Sequence, residues 1–193
     1  MTAAPRIDAL PADLDDADPA ELTRNAELET VRFAGLSVDE LDLRSARLRE
    51  VELDQVNLPV VRAARGQWRD VRVSGRLGSV EAYDAQWRSV HFVGCKLSFV
   101  NLRGAELLDV AFTGCVVEEL DLLDARARRV RLEDTRVGHL SLREGELRDV
   151  DLRGAELESI DGVRHLRGVT VSSGQLTLMA PLLAEALGIL VED

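Results

Sequence analysis

Apolar residues recur every five positions along most of this chain, and that spacing rules out the commonest ways of building a core. One column runs Leu28, Phe33, Val38, Leu43, Leu48, Leu53, Leu58, Ala63, Trp68, Val73. It loses one residue at Ser74-Gly75-Arg76 and resumes at Leu77, Ala82, Trp87, Phe92 and Leu97, continuing to Leu157. A second column sits two positions earlier, from Ala26 and Val31 through Cys95, Val100 and Ala105 to Ile160. Side chains two apart share one face of a strand, but a period of five matches neither a helix of 3.6 residues per turn nor a long flat strand. Both columns point inward only if the chain turns a corner every five residues. Repetition at a fixed short period is the mark of a solenoid. Aromatic residues make up 4% of the chain, so this interior is mainly aliphatic.

Stretches such as Asn101-Leu102-Arg103-Gly104-Ala105-Glu106-Leu107 and Asp151-Leu152-Arg153-Gly154-Ala155-Glu156-Leu157 closely resemble the pentapeptide-repeat family, whose motif is A(D/N)LXX. The resemblance covers the chain from near Ala26 to near Ile160. It implies an all-β solenoid, a right-handed quadrilateral β-helix with four pentapeptides to a coil, capped by a C-terminal α-helix. The residues support four sides independently. Every fourth member of the earlier column is small (Ala26, Ala46, Gly66, Ala85, Ala105, Ala125, Gly145), and its successor is always valine, from Val31 to Val150. The lost residue near Gly75 keeps both series in phase, as a tightened corner would. Coils about 4.8 Å apart give a rod roughly 30 Å long. Arg47, Arg62, Arg126 and Arg136 stand where the motif has Asp or Asn, so the coils are expected to be locally irregular. Trp68 and Trp87 fall one coil apart, each two after a small residue, and are read as core.

A solenoid has open ends that need covers. Three segments follow: an acidic N-terminal segment or cap at 1–25, the β-helix at 26–171 and a C-terminal helix at 172–193. Ile7, Leu10, Leu14 and Leu22 could lie over the first coil, or the segment could be a loose tail. Ser172 or Ser173 can cap the helix and Gly188 can stop it. Leu176, Met179, Leu183, Ala186 and Leu187 form one apolar arc to seal the rod. Leu178, Leu182 and Ile189 widen that arc into a candidate contact with a second copy of the chain, a homodimer. Pro181 should kink this helix or start another.

A net charge of −11 argues against direct nucleic-acid binding, whose phosphates call for a basic surface. Most of that charge sits in the two terminal segments. No apolar run is long enough to span a membrane and no secretory signal opens the chain, so a soluble cytoplasmic protein is expected. Cys95 and Cys115, one coil apart, are read as reduced packing residues. His91, His139 and His165 make no metal-ligand spacing, and no phosphate loop or nucleophile elbow is present, so no cofactor, metal or catalysis is expected. Candidate partner-binding residues lie outward. The residue after each core position on the tryptophan face reads Arg49, Arg69, Arg88, Leu108, Arg128 and Arg148, with Asp70, Asp109 and Asp149 beside it, a ladder of mixed charge. Phe99 is a second outward candidate. The resemblance is nearest to the quinolone-resistance branch of the family, which implies a DNA-mimicking rod that dimerises through its C-terminal helices and binds DNA gyrase. The alternative is a protein-interaction scaffold with another partner.

Overall fold

The structure is a computed structural model that describes residues 2–192. Twelve strands run in chain order: β1 (Asp15–Asp16), β2 (Glu27–Ala34), β3 (Glu40–Asp42), β4 (Arg47–Arg62), β5 (Gln67–Glu81), β6 (Gln86–Val93), β7 (Lys96–Asn101), β8 (Glu106–Thr113), β9 (Val116–Asp121), β10 (Arg126–Ser141), β11 (Glu146–Asp161) and β12 (Val169–Thr170). One helix, α1 (Ser173–Leu187), follows them. Each strand pairs in parallel with the one a coil away, giving a β-solenoid of about eight turns. The register is twenty residues, as in Leu28↔Leu48↔Trp68. Between β2 and β11 it shortens once, between Leu53↔Val73 and Val56↔Gly75, where the sequence loses a residue, and at the two ends it is shorter again, as in Asp15↔Val31 and Val150↔Val169.

The two columns meet inside. From Leu43 to Leu152 the later column is buried throughout, and so is most of the earlier one. Aromatic residues stack on the same position of the next coil: Trp68 on Trp87 at 5.1 Å and Phe92 on Phe112 at 4.8 Å between ring centres. Burying a side chain of this size contributes about 1.5–3 kcal/mol, so this inner wall is the main source of stability. Thr135, the polar member of the earlier column, keeps its hydroxyl 2.8 Å from the Glu133 carbonyl while accepting from the Cys115 N–H. Val38 departs from the expected pattern: it is 36% exposed, because the chain between β2 and β3 leaves the ladder apart from a bridge at Ser37↔Asn57.

The corners explain the outward residues. Two positions after a core residue the backbone is often left-handed, at Thr30, Glu50, Asp70, Ser89, Asp109, Arg129 and Asp149 on one edge and at Gly35, Gln55, Gly94, Gly114 and Asp134 on the next. Such a φ costs an ordinary side chain about 1 kcal/mol or more, which favours Gly, Asp, Asn and Ser there. The edge carrying Val60, Ser79, Phe99, Glu119, His139 and Ser159 has no positive φ among the described residues, and that lets it hold valine and phenylalanine. The Asp or Asn before the core leucine locks the turn, since Asp42, Asn101, Asp121 and Asp151 each accept the N–H two residues on at 2.9–3.2 Å.

The ends are closed by two different devices. Residues 2–14 form a strap along the outside of the rod. Ala3 N–H donates to Asp149, Arg6 N–H to Asp109 and Asp8 N–H to Ser89, so five residues cross three coils, about 14 Å, and the strap is nearly fully extended. Ile7, Leu10 and Leu14 therefore lie against the side of the rod, lining a groove of about 390 Å³ with Val71 and His91, rather than over the first coil. The chain then adds β1 to β2 and turns at Pro19–Glu21, which a capping box from Asp18 secures, and Leu22 is buried under the first coil. At the other end α1 is one helix through Pro181, so no second helix starts there. Its buried side is Met179, flanked by half-buried Gln175 and Leu183, whereas Leu176 and Leu187 point to solvent instead of sealing the coil. Gln175 serves twice. Its side chain completes the cap with Ser172 and donates to the open carbonyls of Leu152 and Ala155 at 2.6 and 2.8 Å.

A Cβ on Gly75 would lie 2.2 Å from the Val56 carbonyl oxygen, while one on Gly94 would meet nothing within 4 Å. Both have positive φ. Gly94→Ala should therefore cost only backbone strain, about 1 kcal/mol, and Gly75→Ala about 3 kcal/mol or more. Equal thermal midpoints for the two variants would contradict the tightened corner.

Candidate docking surfaces

The ladder residues stand where the register puts them. Arg49, Arg69, Arg88, Leu108, Arg128 and Arg148 pair in sequence across β4, β5, β6, β8, β10 and β11, one per coil. The next column, at the left-handed corner, reads Asp70, Ser89, Asp109, Arg129 and Asp149. The structure does not leave these two columns as a ladder of alternating exposed charge. The acids turn inward beneath the strap: the side chains of Asp70, Asp109 and Asp149 are 12%, 7% and 24% exposed, against 56% and 73% for Arg69 and Arg148.

Asp109 shows the cause. Its carboxylate takes two hydrogen bonds of 2.6 Å from Arg129, one coil away, and one of 2.7 Å from the Arg6 backbone. Burial alone would raise its pKa, but the bonds from Arg129 and Arg6 and the charge of both hold it below the ordinary carboxylate value. Asp109 is thus spent on the strap and on Arg129 and is not free to meet a partner. The sequence signal for that pair is Arg129 itself, the one basic residue in a corner column of Thr30, Glu50, Asp70, Ser89, Asp109 and Asp149. Arg69 and Arg148 sit 3.3 and 3.7 Å from their neighbouring acids, whereas Arg88 and Arg128 have no ion-pair partner among the described residues.

Phe99 lies on a different edge, paired with Ser79 and Glu119, and is half-buried, so it does not join the ladder in one surface. Leu178, Leu182 and Ile189 are 79%, 41% and 55% exposed; the first two lie on α1 and Ile189 just past its glycine cap. Leu176, Leu187, Leu190 and Val191 are exposed as well, so the end of the rod carries several uncovered apolar side chains. Three features carry no sequence pattern strong enough to flag them: the strap contacts, the Gln175 plug and the burial of the ladder acids.

Elsewhere on the surface Asp42 binds Arg44 through both carboxylate oxygens, and its pKa falls to about 2, chiefly through that hydrogen bond. His91 is pushed down, first by burial and then by the charge of Arg72. Cys95 and Cys115 are free and buried. Among the described residues no cluster of His, Cys, Asp or Glu could hold a metal ion, and no helix is long and apolar enough to cross a membrane.

Residues 85–161 match the family described as "Pentapeptide repeat region". Among solved structures, two trypsin-treated variants of QnrB1, a plasmid-mediated fluoroquinolone resistance protein, are 18% identical. They cover 92% and 89% of this chain and 96% and 92% of their own, each with a TM-score of 0.33. HetL, a pentapeptide repeat protein involved in heterocyst differentiation regulation from the cyanobacterium Nostoc sp. strain PCC 7120, is 16% identical, covering 77% of this chain and 90% of its own, with a TM-score of 0.32. No curated protein matches.

Asp42 and Asp109 ionise more readily in the folded chain than in the unfolded one. Their stabilisation is present above the ordinary carboxylate value and is lost as pH falls through the lowered folded value, for Asp42 from 3.8 towards 2. Nuclear magnetic resonance of the Arg6 amide should report Asp109 directly, with its shift titrating below the ordinary aspartate range. A midpoint at the ordinary value would show that the strap is not held by this carboxylate.

Proposed function

We propose that this chain, whose residues 85–161 are a pentapeptide repeat region, acts without chemistry of its own as a stiff rod that docks a protein along its outer faces. The observation that carries the reading is the filled interior. Two stacked apolar columns leave the working surfaces outside, where the grooves, of up to about 680 Å³, lie between rungs of exposed side chains. Pockets that bind small molecules are concave and enclose most of the ligand, and these grooves do not.

The finer reading names DNA gyrase. It is motivated by the resemblance to the quinolone-resistance branch and by the net charge of −11. A DNA mimic must present negative charge along its length, since steering towards a basic saddle depends on an extended field. The strap supports this. It carries the acidic N-terminal segment up the side of the rod, with Asp8, Asp13, Asp15, Asp16 and Asp18 exposed from mid-rod to the first coil. The purified chain should then inhibit supercoiling of relaxed plasmid by gyrase at micromolar concentration, less strongly as salt rises, because screening acts over about 8–10 Å. Replacing the exposed Asp8, Asp13 and Asp15 with Asn should weaken inhibition. No inhibition by the intact chain at low salt would remove gyrase and leave the scaffold reading, which the arginines on the tryptophan face favour.

We propose that α1 also docks a second copy of the chain, a reading supported by the leucines it leaves exposed at the rod's end. A two-fold contact places one patch against itself and would cover Leu178 and Leu182 together. Light scattering should give a dimer for the intact chain and a monomer for Leu178→Asp with Leu182→Asp, with an unchanged circular dichroism spectrum because both side chains are exposed in the single chain. A monomer in both would confine α1 to sealing the coil through Gln175 and Met179.

A further inference from the structure

We infer that the tryptophan face is a docking site for an acidic peptide segment of a partner protein, one that carries an apolar residue between its acids. The inference rests on the protein-docking reading above but not on gyrase as the partner.

Three observations converge on it. The first is the sorting of charge on this face. The sequence balances arginine against aspartate, but the strap and Arg129 take the aspartates into the corner, so the arginine row is exposed, and the acids left on this face, such as Glu106 and Glu146, stand in the column beside it, where Arg126 offsets both. The second is the unpaired state of Arg88 and Arg128. Their neighbours on the same face, by contrast, sit against an acid one coil away, as Arg47 does with Glu27, Arg49 with Glu29 and Arg126 with Glu106. Arg88 and Arg128 are exposed and have no such partner among the described residues. The third is the gap between them. The arginine row is broken by Leu108, half-buried, which pairs with Arg88 on one side and Arg128 on the other. A groove of about 600 Å³ spans this break, with Leu107, Leu108 and the stacked Trp68 and Trp87 in its lining.

The two guanidinium groups stem from positions two coils apart, about 10 Å, with an apolar floor between them. An extended peptide shows alternate side chains on one face, so acids two positions to either side of a central apolar residue stand about 13 Å apart, within reach of two long arginine side chains. A carboxylate at each end meets an arginine that can bind it with two parallel hydrogen bonds, and an apolar side chain in the middle meets Leu108. Nucleic acid fits less well. A polyphosphate gains from unbroken positive charge, whereas this row is interrupted by leucine and belongs to a chain of net charge −11.

The chain supplies its own reporter, because its two tryptophans both line this groove. The full-length protein would be titrated with a short synthetic peptide in which a central leucine has a glutamate two positions to either side, following tryptophan emission. The expected result is a saturable change whose affinity falls about tenfold or more in Arg88→Glu with Arg128→Glu, and severalfold in Leu108→Ser. Arg76→Glu, on another face, should leave it unchanged. Circular dichroism would confirm that the variants fold, which is expected since neither Arg88 nor Arg128 holds an ion pair. Equal binding of a peptide with lysine for glutamate, or insensitivity to the double arginine variant, would overturn the inference. Tighter binding of an oligothymidylate than of the acidic peptide would overturn it too and make the face a nucleic-acid surface. Gyrase inhibition without peptide binding would sink this inference alone, and peptide binding without gyrase inhibition would sink only the choice of gyrase.

Discussion

The twenty-residue register is the constraint on which the rest of this molecule depends. Parallel pairing of each coil with the next sets every side chain about 4.8 Å from its counterpart one coil away. Inside, that repetition is favourable: leucine meets leucine, and the flat faces of Trp68 and Trp87 or Phe92 and Phe112 stack with little waste of space. Outside, it places like charges on top of one another unless the sequence alternates them. The chain mostly does so, with Arg126 between Glu106 and Glu146 and Arg136 beside Glu156. Exposed pairs of this kind contribute little stability, about 0.2–1 kcal/mol each, but they remove a repulsion that the register would otherwise impose. Against that background the arginine row from Arg49 to Arg148 is the exception, and its two unpaired members mark where the surface is left open.

Closure of the ends follows from the same constraint. A parallel ladder leaves the first and last coils with unmatched backbone groups, and an unpaired buried carbonyl costs more than a hydrogen bond returns. The N-terminal segment meets this by adding a short strand, β1, and a capped turn that buries Leu22. The C-terminal segment uses one amide, Gln175, to cap its own helix and to satisfy two carbonyls of the last coils. In spending its buried side on Met179 and Gln175, α1 leaves most of its leucines facing outward.

The strap joins these effects into one electrostatic design. By donating three backbone N–H groups to Asp149, Asp109 and Ser89, it hides acids belonging to the rod. By the same path it displays its own acids along the edge. One edge of the rod thereby displays the acids of the strap, while the arginine row beside it stays exposed. A rod with both on its surface can engage partners of different chemistry without moving, which suits a scaffold stiffened by its own core.

The amino-acid sequence by itself determined the coil. The columns from Leu28 to Leu157 and from Ala26 to Ile160, the alternation of small residues with valine and the lost residue at Gly75 each report a local spacing, and local spacing is what a repeat writes into a chain. Buried Trp68 and Trp87 were legible for the same reason. Val38 was not, because one position cannot reveal that the backbone around it has left the ladder. Only the tertiary structure decided the surfaces. Whether Asp109 faces solvent depends on Arg6, 103 residues away, and whether Leu176 is core depends on how α1 sits on the last coil. The strap has no period and no motif, since an extended segment held by its backbone N–H groups asks nothing particular of its own side chains. Contacts of that kind join distant parts of the chain through geometry alone, so they first become visible when the coils are stacked and the ends are laid against them.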